Sequence, residues 1–508
     1  MKRFHRWGKI AAKNLEEKIY GESVSKFGGS SLSTYENIKK AIEIILEEEQ
    51  EKIINREILR RHIGKDYDKY IIRRSYVTVS APGKDPEKKY EEKVTDILIT
   101  LSKTKNENKR KEIIGELVDR YLDIYEPFGI EKKEIDILIR GTLEERLKQK
   151  LPKKAFVDSI KAFGEEANAK LIVKAGNLSA NKKWVYLNPK DYIVVSDNFG
   201  DAKVLEETYE RLSKLKADND TVFVLPGFYG YTKEGDIATF KRGGSDLTGA
   251  VLAKVVKATI YENWTDSPVR ATNPKLNITE KPQKINKITY KEMGDLAFGG
   301  FSIIFWSAVE MVGDNGILTH VRNTFEYPEE GTYIVKKRSV PKKENPILGI
   351  AYDAIYSFKI ERPGLNNETG VVRKVLEIIE DKYEINIEFF PGAINEQSFT
   401  FRIENEEEND LSAYTIRKIK NEMKEAIGTN TKVRCRKLGA IVLAGQGMKK
   451  RQEIGYDVGK LLSQKGIKTN FFIKNEDGDS YIIGLTKRKD CHKAGNIIYY
   501  DYIKTCWR

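Results

Sequence analysis

The stretch Thr239-Phe-Lys-Arg-Gly-Gly-Ser-Asp-Leu-Thr-Gly-Ala-Val-Leu-Ala253 decides how the chain reads. A fixed cation, Arg242, precedes Gly243 and Gly244, and Ser245 and Asp246 follow. The mostly apolar run Ala250 to Val256 has the pattern of a helix. Glycines ahead of a helix start let backbone N–H groups come close to an anion, and the helix N-terminus favours negative charge. Ser245 or Asp246 also suits a simple helix cap, so the stretch alone admits two readings.

A second loop of the same kind lies near the start of the chain, Val24-Ser-Lys-Phe-Gly-Gly-Ser-Ser-Leu32. A strand-like entry carrying Lys26 meets Gly28-Gly29. Ser30, Ser31 and Ser33 then lead into the helical pattern Ile38 to Leu46. Lys26 precedes the glycines, so this is not a Walker loop, but a strand–glycine–helix device beside a cation still suits phosphate. Two such loops, each with its own cation, are harder to explain as turns than one.

Together the loops resemble the aspartokinases of the amino-acid kinase family. The likeness runs from about residue 23 to 503. It includes Ser80-Ala-Pro-Gly-Lys84 with Lys93-Val-Thr-Asp-Ile-Leu98, the element Phe163-Gly-Glu165, and Pro226-Gly-Phe228 with Gly230 and Gly235. It continues through Asn263-Trp-Thr-Asp266 and Asn273-Pro-Lys275.

The resemblance implies transfer of the ATP γ-phosphate, with Mg²⁺, to the β-carboxylate of L-aspartate, the first step of lysine, threonine and methionine biosynthesis. It assigns Lys26 and Asp246 to catalysis. Ser80, Thr95, Glu165, Arg242 and Ser245 go to substrate, and Lys26, Gly28, Gly29, Ser30, Thr265, Asp266 and Lys275 to nucleotide. No dedicated protein metal ligands are implied. A carboxylate acceptor is already an anion at neutral pH, so no strong base is needed; the four scattered histidines agree with that. Where many relatives carry a lysine and a histidine after Phe298-Gly-Gly-Phe-Ser302, this chain runs on as Ile303-Ile-Phe-Trp306, which reads as core. The alternatives are a non-catalytic amino-acid sensor and another amino-acid kinase.

At 508 residues the chain has room for several domains. Residues 23 to 310 alternate strand-like runs (Tyr76–Ser80, Tyr192–Ser196, Thr221–Leu225, Ala258–Tyr261) with helical stretches. That pattern predicts an α/β domain, a three-layer α/β/α unit with a mainly parallel sheet, and ligand loops at the carboxyl ends of its strands. Residues 100–150 read as a charged outer helical layer.

A Pro/Lys/Glu-rich linker spans 336–346. Beyond it, a strand–loop–helix–strand–strand order occurs twice. It includes strands at 355–360, 385–390 and 398–403, a helix at 411–426, and then 437–443, 453–464, 469–473 and 480–485. This resembles paired ferredoxin-like ACT modules, in which Ile347–Tyr352 is a strand lent to the second. The expected layout is a basic extension (1–22), a kinase domain (23–335), the linker, and ACT-like modules at 347–428 and 429–508. By the same resemblance Leu365, Asn366, Gly370, Val371 and Glu388 hold an amino-acid effector, lysine or threonine, and the modules pair two or more chains.

The net charge of +13 comes with acidic and basic clusters spread along the whole chain, a solvated surface rather than a nucleic-acid face. No apolar run is long enough for a membrane span. Cys435, Cys491 and Cys506 lack metal-ligand spacing and read as reduced thiols of a cytoplasmic protein. Met1–Lys13 is basic and reads as a short helical extension rather than a transit peptide.

Overall fold

The computed structural model describes residues 19–47, 56–63, 70–85, 89–179, 182–218, 220–241, 243–272, 281–301, 303–340, 345–383, 385–402, 411–451 and 453–504. Arg242, Asn273–Lys275 and Met1–Lys13 lie outside the described residues. Two compact units are present. One holds the chain up to Val269 with Lys284–Tyr290 and Ser302–Arg338. The other holds Arg270–Gln283, Lys291–Phe301 and Ser339–Arg508.

The strands of the first unit are β1 (Ile19–Phe27), β2 (Tyr70–Val79), β3 (Lys183–Tyr186), β4 (Thr221–Pro226), β5 (Tyr229–Tyr231), β6 (Ile237–Thr239), β7 (Ile260–Thr265), β8 (Lys287–Thr289), β9 (Leu318–Asn323) and β10 (Thr332–Val335). Eight form one sheet in the order β3-β4-β2-β1-β7-β9-β10-β8, and β5–β6 is a separate hairpin. Only the β9–β10 pairing in the large sheet is antiparallel. Strands buried on both faces are what helices on both sides of a parallel sheet produce; β9 is buried at every residue. The helices used below are α1 (Tyr35–Leu46), α2 (Val94–Lys103), α3 (Glu107–Tyr125), α4 (Lys153–Lys161), α5 (Phe163–Ser179), α6 (Gly244–Val255) and α7 (Trp306–Asp314).

Period-2 alternation gives the strands two faces of different character. Lys26 is in register with Asn263, and Ser25 with Glu262. Ser25, Phe27, Glu262 and Trp264 therefore share one face, where Phe27 and Trp264 stack with ring centroids 5.7 Å apart. These rings join a core built with α1, α2, α3 and α5. Within it Glu262 accepts hydrogen bonds from Ser23 (3.0 Å), Ser25 (2.8 Å), Arg74 Nε (2.6 Å) and Arg322 Nη1 (3.3 Å). The two guanidiniums hold its carboxyl far below the usual range against the opposing pull of burial. Arg74 also donates to the Ile44 carbonyl near the C-terminus of α1, where a cation is favoured.

The expected strand at Tyr192–Ser196 does not join the main sheet. Pro189–Tyr192 is a helical turn opened by Asn188, whose side chain accepts from the Lys190 amide, and Val194 and Val195 make single bridges only. Proline at the first helical position and an Asn cap outweigh the short apolar run.

The second unit has β11 (Gly349–Glu361), β12 (Gly392–Ala393), β13 (Glu396–Phe401), β14 (Lys432–Ala444), β15 (Thr469–Lys474) and β16 (Ser480–Leu485), with helices α8 (Val371–Leu376), α9 (Ala413–Ile427), α10 (Ile454–Gln464) and α11 (Cys491–Ile498). Its strands form a single six-stranded sheet, β12-β13-β11-β14-β16-β15. The lent strand and the first strand expected after the linker are one continuous β11. It pairs with β14 along its whole length, and only Tyr356–Glu361 also pairs with β13. The N-terminal half of β11 (Ile350) meets Ile441, Val458 and Ile483, while its C-terminal half (Phe358, Ile360) meets Val375, Ile419 and Phe399. The expected strand at 385–390 is reduced to a bridge at Phe389 with Thr400.

Replacing Glu262 with Ala leaves two buried guanidiniums without the carboxylate they share. The expected loss is about 3–5 kcal/mol, against about 1 kcal/mol for Ser23→Ala. Urea denaturation of both variants measures the difference.

Candidate active site

The parallel register brings the carboxyl ends of four strands to one edge: Pro226 lies beside Val79, Val79 beside Phe27 and Phe27 beside Trp264. Such an edge is where open α/β sheets bind ligands. Lys26 sits there on the face turned to α6, only 8% exposed, and its Nζ lies 2.7 Å from Asp246 Oδ1. A Cβ on Gly249 would lie 3.3 Å from the Lys26 Cβ, so α6 runs close above the lysine stem.

The start of α6 settles the capping question. Its N-cap is Gly243, in the left-handed region at φ 80°, with no side-chain cap hydrogen bond. The Asp246 carboxylate turns away from the helix end. Oδ1 accepts from Lys26 and from Asn263 Nδ2 (2.9 Å), and Oδ2 accepts from the Phe305 N–H (3.0 Å). Ser245 is buried against Gly227, where a Cβ would come within 2.6 Å of the serine Cβ.

The glycines of the first loop have different reasons. The Gly28 N–H donates to the Trp264 carbonyl (2.9 Å), so it is not available to a phosphate, contrary to the expectation for that amide. Gly29 is required by close approach: a Cβ there would lie 2.8 Å from the Ala81 carbonyl oxygen. Among the described residues no acceptor meets the Gly29 and Ser30 amides at the start of the following turn, as helix geometry dictates.

The segment 80–83 joins the remaining candidates. The Ser80 amide donates to Phe27 (3.2 Å), the Gly83 amide to Gly29 (2.8 Å), and the Pro82 carbonyl accepts from Val94 at the start of α2, where half-buried Thr95 follows. Asn168 Nδ2 donates to the Ser80 carbonyl (2.7 Å). The Ala81 amide is hydrogen-bonded to Glu165.

Glu165 and Glu166 are both buried, not a solvated helix face, and they serve different ends. Glu166 is bound by Lys170 (2.6 Å) and by Arg146, which holds its carboxyl below the usual range against burial. Glu165 has no such partner. Burial pushes its carboxyl up to about 8, only partly offset by the Ala81 amide and by Lys161, and its Oε2 has no hydrogen-bond partner among the described residues. An acidic oxygen left unpaired in a buried place is suited to a cationic group.

Thr265 ends β7 and Asp266 follows it at the same edge, the first half-buried and the second exposed, with Thr265 Oγ1 donating to Asp266 (3.2 Å). Among the described residues no group of three or more His, Cys, Asp or Glu gathers to hold a metal.

Two contacts were not anticipated from the sequence. Asn263 is fully buried beside Lys26, and Phe305 reaches Asp246 through its backbone. Ile303–Trp306 is not the core run its sequence suggests: Ile304 is buried, but Trp306 is exposed and Phe305 lies against Gly243 at the site, where a Cβ on the glycine would meet its ring at 2.5 Å. A polar side chain inside a strand-like run was the available clue for Asn263, and its register with Lys26 comes only from the fold. A backbone N–H leaves none.

In the second unit, Gly370 (φ 82°) N-caps α8, Val371 and Leu365 are buried, and Asn366 Oδ1 accepts from the Asn395 amide (2.6 Å). Glu388 accepts from Arg402 Nε (2.7 and 3.0 Å), so its charge is already paired, contrary to the role expected for it with an effector amine.

The model of the amino acid kinase family matches residues 23–323. The chain is 30% identical to aspartokinase 3 of Bacillus subtilis (strain 168) over 486 residues, 94% of this chain and 98% of that protein. Its structure is similar to that of Clostridium acetobutylicum aspartate kinase, with TM-score 0.70 and 26% identity over 94% of this chain and 100% of the other. It shares its fold with E. coli aspartokinase III in complex with aspartate and ADP, with TM-score 0.74 and 18% identity over 94% and 98% of the two chains. The chain belongs to the amino acid kinase family, among the aspartokinases.

Proposed function

We propose that the Lys26–Asp246 site transfers the γ-phosphate of Mg²⁺·ATP to the β-carboxylate of L-aspartate, giving 4-phospho-L-aspartate and ADP. The observation that carries this reading is a buried ammonium held by a carboxylate between two glycine loops at one sheet edge. The chemistry asks for alignment of two anions and cancellation of their repulsion, more than for proton removal. Lys26 meets the charge that develops on the transferred phosphoryl group, and Asp246 keeps the ammonium aimed. The Gly29 and Ser30 amides point to phosphate, with Thr265, Asp266 and Lys275 on the nucleotide.

Mg²⁺ would be carried as part of the Mg²⁺·ATP substrate and would supply charge neutralisation on the phosphates. Glu165 receives the aspartate ammonium on its unpaired oxygen. Ser80, Thr95 and Ser245 donate hydrogen bonds to the substrate, and Arg242 grips a substrate carboxylate with its fork.

The second unit is a pair of ACT-like modules that binds lysine or threonine near Leu365, Asn366, Gly370 and Val371, feeds back on the kinase, and pairs chains into a dimer or larger assembly. The reaction is then the first step of lysine, threonine and methionine synthesis.

ADP release from Mg²⁺·ATP should depend on added aspartate and fall on addition of lysine or threonine. Aspartate-independent release, or none, from folded protein refutes the kinase reading. Lys26→Ala should lower kcat by about 10²–10³-fold or more, the scale of a lost transition-state donor, in a protein that still folds but melts lower, because Asp246 is left buried without its cation; near-normal turnover of the folded variant removes that role.

Glu165 supplies a pH test. Binding an ammonium requires the carboxylate, whereas the free site holds the acid below about 8. Aspartate binding therefore expels a proton, so the aspartate KM should fall as pH rises towards 8, by at most about tenfold per unit, and then level off. Glu165→Gln should raise KM and flatten the profile. The same displacement makes the free fold lose stability as pH rises from the unfolded carboxyl value towards 8.

A further inference from the structure

We infer that Asn263, with the backbone N–H of Phe305, forms a clamp that positions Asp246, and through it Lys26, for phosphoryl transfer. This rests on the kinase reading above and adds two positioning groups to it. Asn263 lies on β7 directly across from Lys26 in the parallel register. It is fully buried, and its Nδ2 donates to Asp246 Oδ1 (2.9 Å), the oxygen that also takes the Lys26 ammonium (2.7 Å). Phe305, the residue just before α7, donates its N–H to Oδ2 (3.0 Å). One cation and two neutral donors thus hold both oxygens of the carboxylate.

The neutrality of the two extra donors matters. A second cation would compete with Lys26 for the carboxylate, and a second carboxylate would compete with Asp246 for the ammonium. An amide and a peptide N–H orient without doing either. Asp246 Oδ1 also fixes which way round the Asn263 amide stands, because the opposite orientation would set two acceptors against each other. The carbonyl Oδ1 of Asn263 then faces a place where it has no partner among the described residues.

The test uses the full chain and reads aspartate-dependent ADP release. Asn263→Leu keeps the side-chain size and removes the donor. It should lower kcat about 10–100-fold, the scale of a small misplacement of reacting groups, while KM for ATP and aspartate each move less than about threefold.

Asn263→Asp gives the sharper readout. Two carboxylates so close share one proton, and the protonated one can donate as the amide did. The titratable groups facing this point among the described residues are Lys26, Asp246 and Tyr261. Turnover of N263D relative to the unsubstituted protein should therefore be highest at acid pH and drop as pH rises and the shared proton leaves. A merely structural asparagine would not produce that profile.

Phe305 gives an independent arm. Its φ of −71° is the angle proline requires, so F305P deletes the N–H in place, and F305A loses the ring but keeps the N–H. F305P should fall at least tenfold below F305A. Folded N263L with unaltered kcat, or N263D with an ordinary pH profile, overturns the proposal. Should the Asn263 variants fail to fold, equal kcat for F305P and F305A overturns it. No aspartate-dependent turnover by the unsubstituted protein removes the kinase reading, and this proposal with it.

Discussion

An ammonium taken out of water must find a counter-charge, and the first unit is arranged around one such pairing. Lys26 leaves solvent almost completely, and Asp246, from a helix more than two hundred residues later, meets it at 2.7 Å. Burying one charge without the other would cost several kcal/mol, so the pair ties β1 to α6. That tie also sits at the site proposed for the reaction. The lysine is near the carboxyl end of a central strand, the aspartate is in the first turn of a helix, and both glycine loops open at that junction. A buried cation is thus preformed at the sheet edge.

The opposite face of the same strands carries a second buried charge system, centred on Glu262, with Arg74 and Arg322 on neighbouring strands. The two systems never mix, because alternation along β1 and β7 sends successive residues to opposite faces. One is closed: its carboxylate is surrounded by donors. The edge at the carboxyl ends of the strands instead keeps open valences, such as the Glu165 oxygen and the Gly29 and Ser30 amides. Adjacent Glu165 and Glu166 repeat the contrast within one helix. The residue bound by Arg146 and Lys170 ties the helical segment Thr142–Leu147 to α5, and the residue without a cation keeps an unpaired buried oxygen.

The second unit follows a different economy. Two strands of thirteen residues, β11 and β14, run side by side, and each serves one hydrophobic core with its first half and another with its second. The two repeats are therefore joined by continuous backbone pairing in one sheet rather than by a linker. A ligand that shifted β11 in one half would have to disturb its register with β14 in the other.

Much was legible in the chain before any fold was known. Glycines beside a cation ahead of a helical run, seen twice, marked both loops of the proposed site, since few backbones other than such turns need that composition. Alternating strand and helix patterns announced a parallel sheet, and the repeated order after residue 347 announced the second unit. Local chemistry sufficed for these because periodicity and turn residues act over a few positions. Other features needed the folded chain. They include the commitment of the Gly28 amide to Trp264, the pairing of Glu388 with Arg402, and the division of labour between Glu165 and Glu166. The same holds for Asn263 and a peptide N–H at Phe305 closing around Asp246. Each depends on which group from a distant part of the chain arrives first at a donor or acceptor, and that competition is decided only when the sheet register and the helix packing bring them within hydrogen-bond reach.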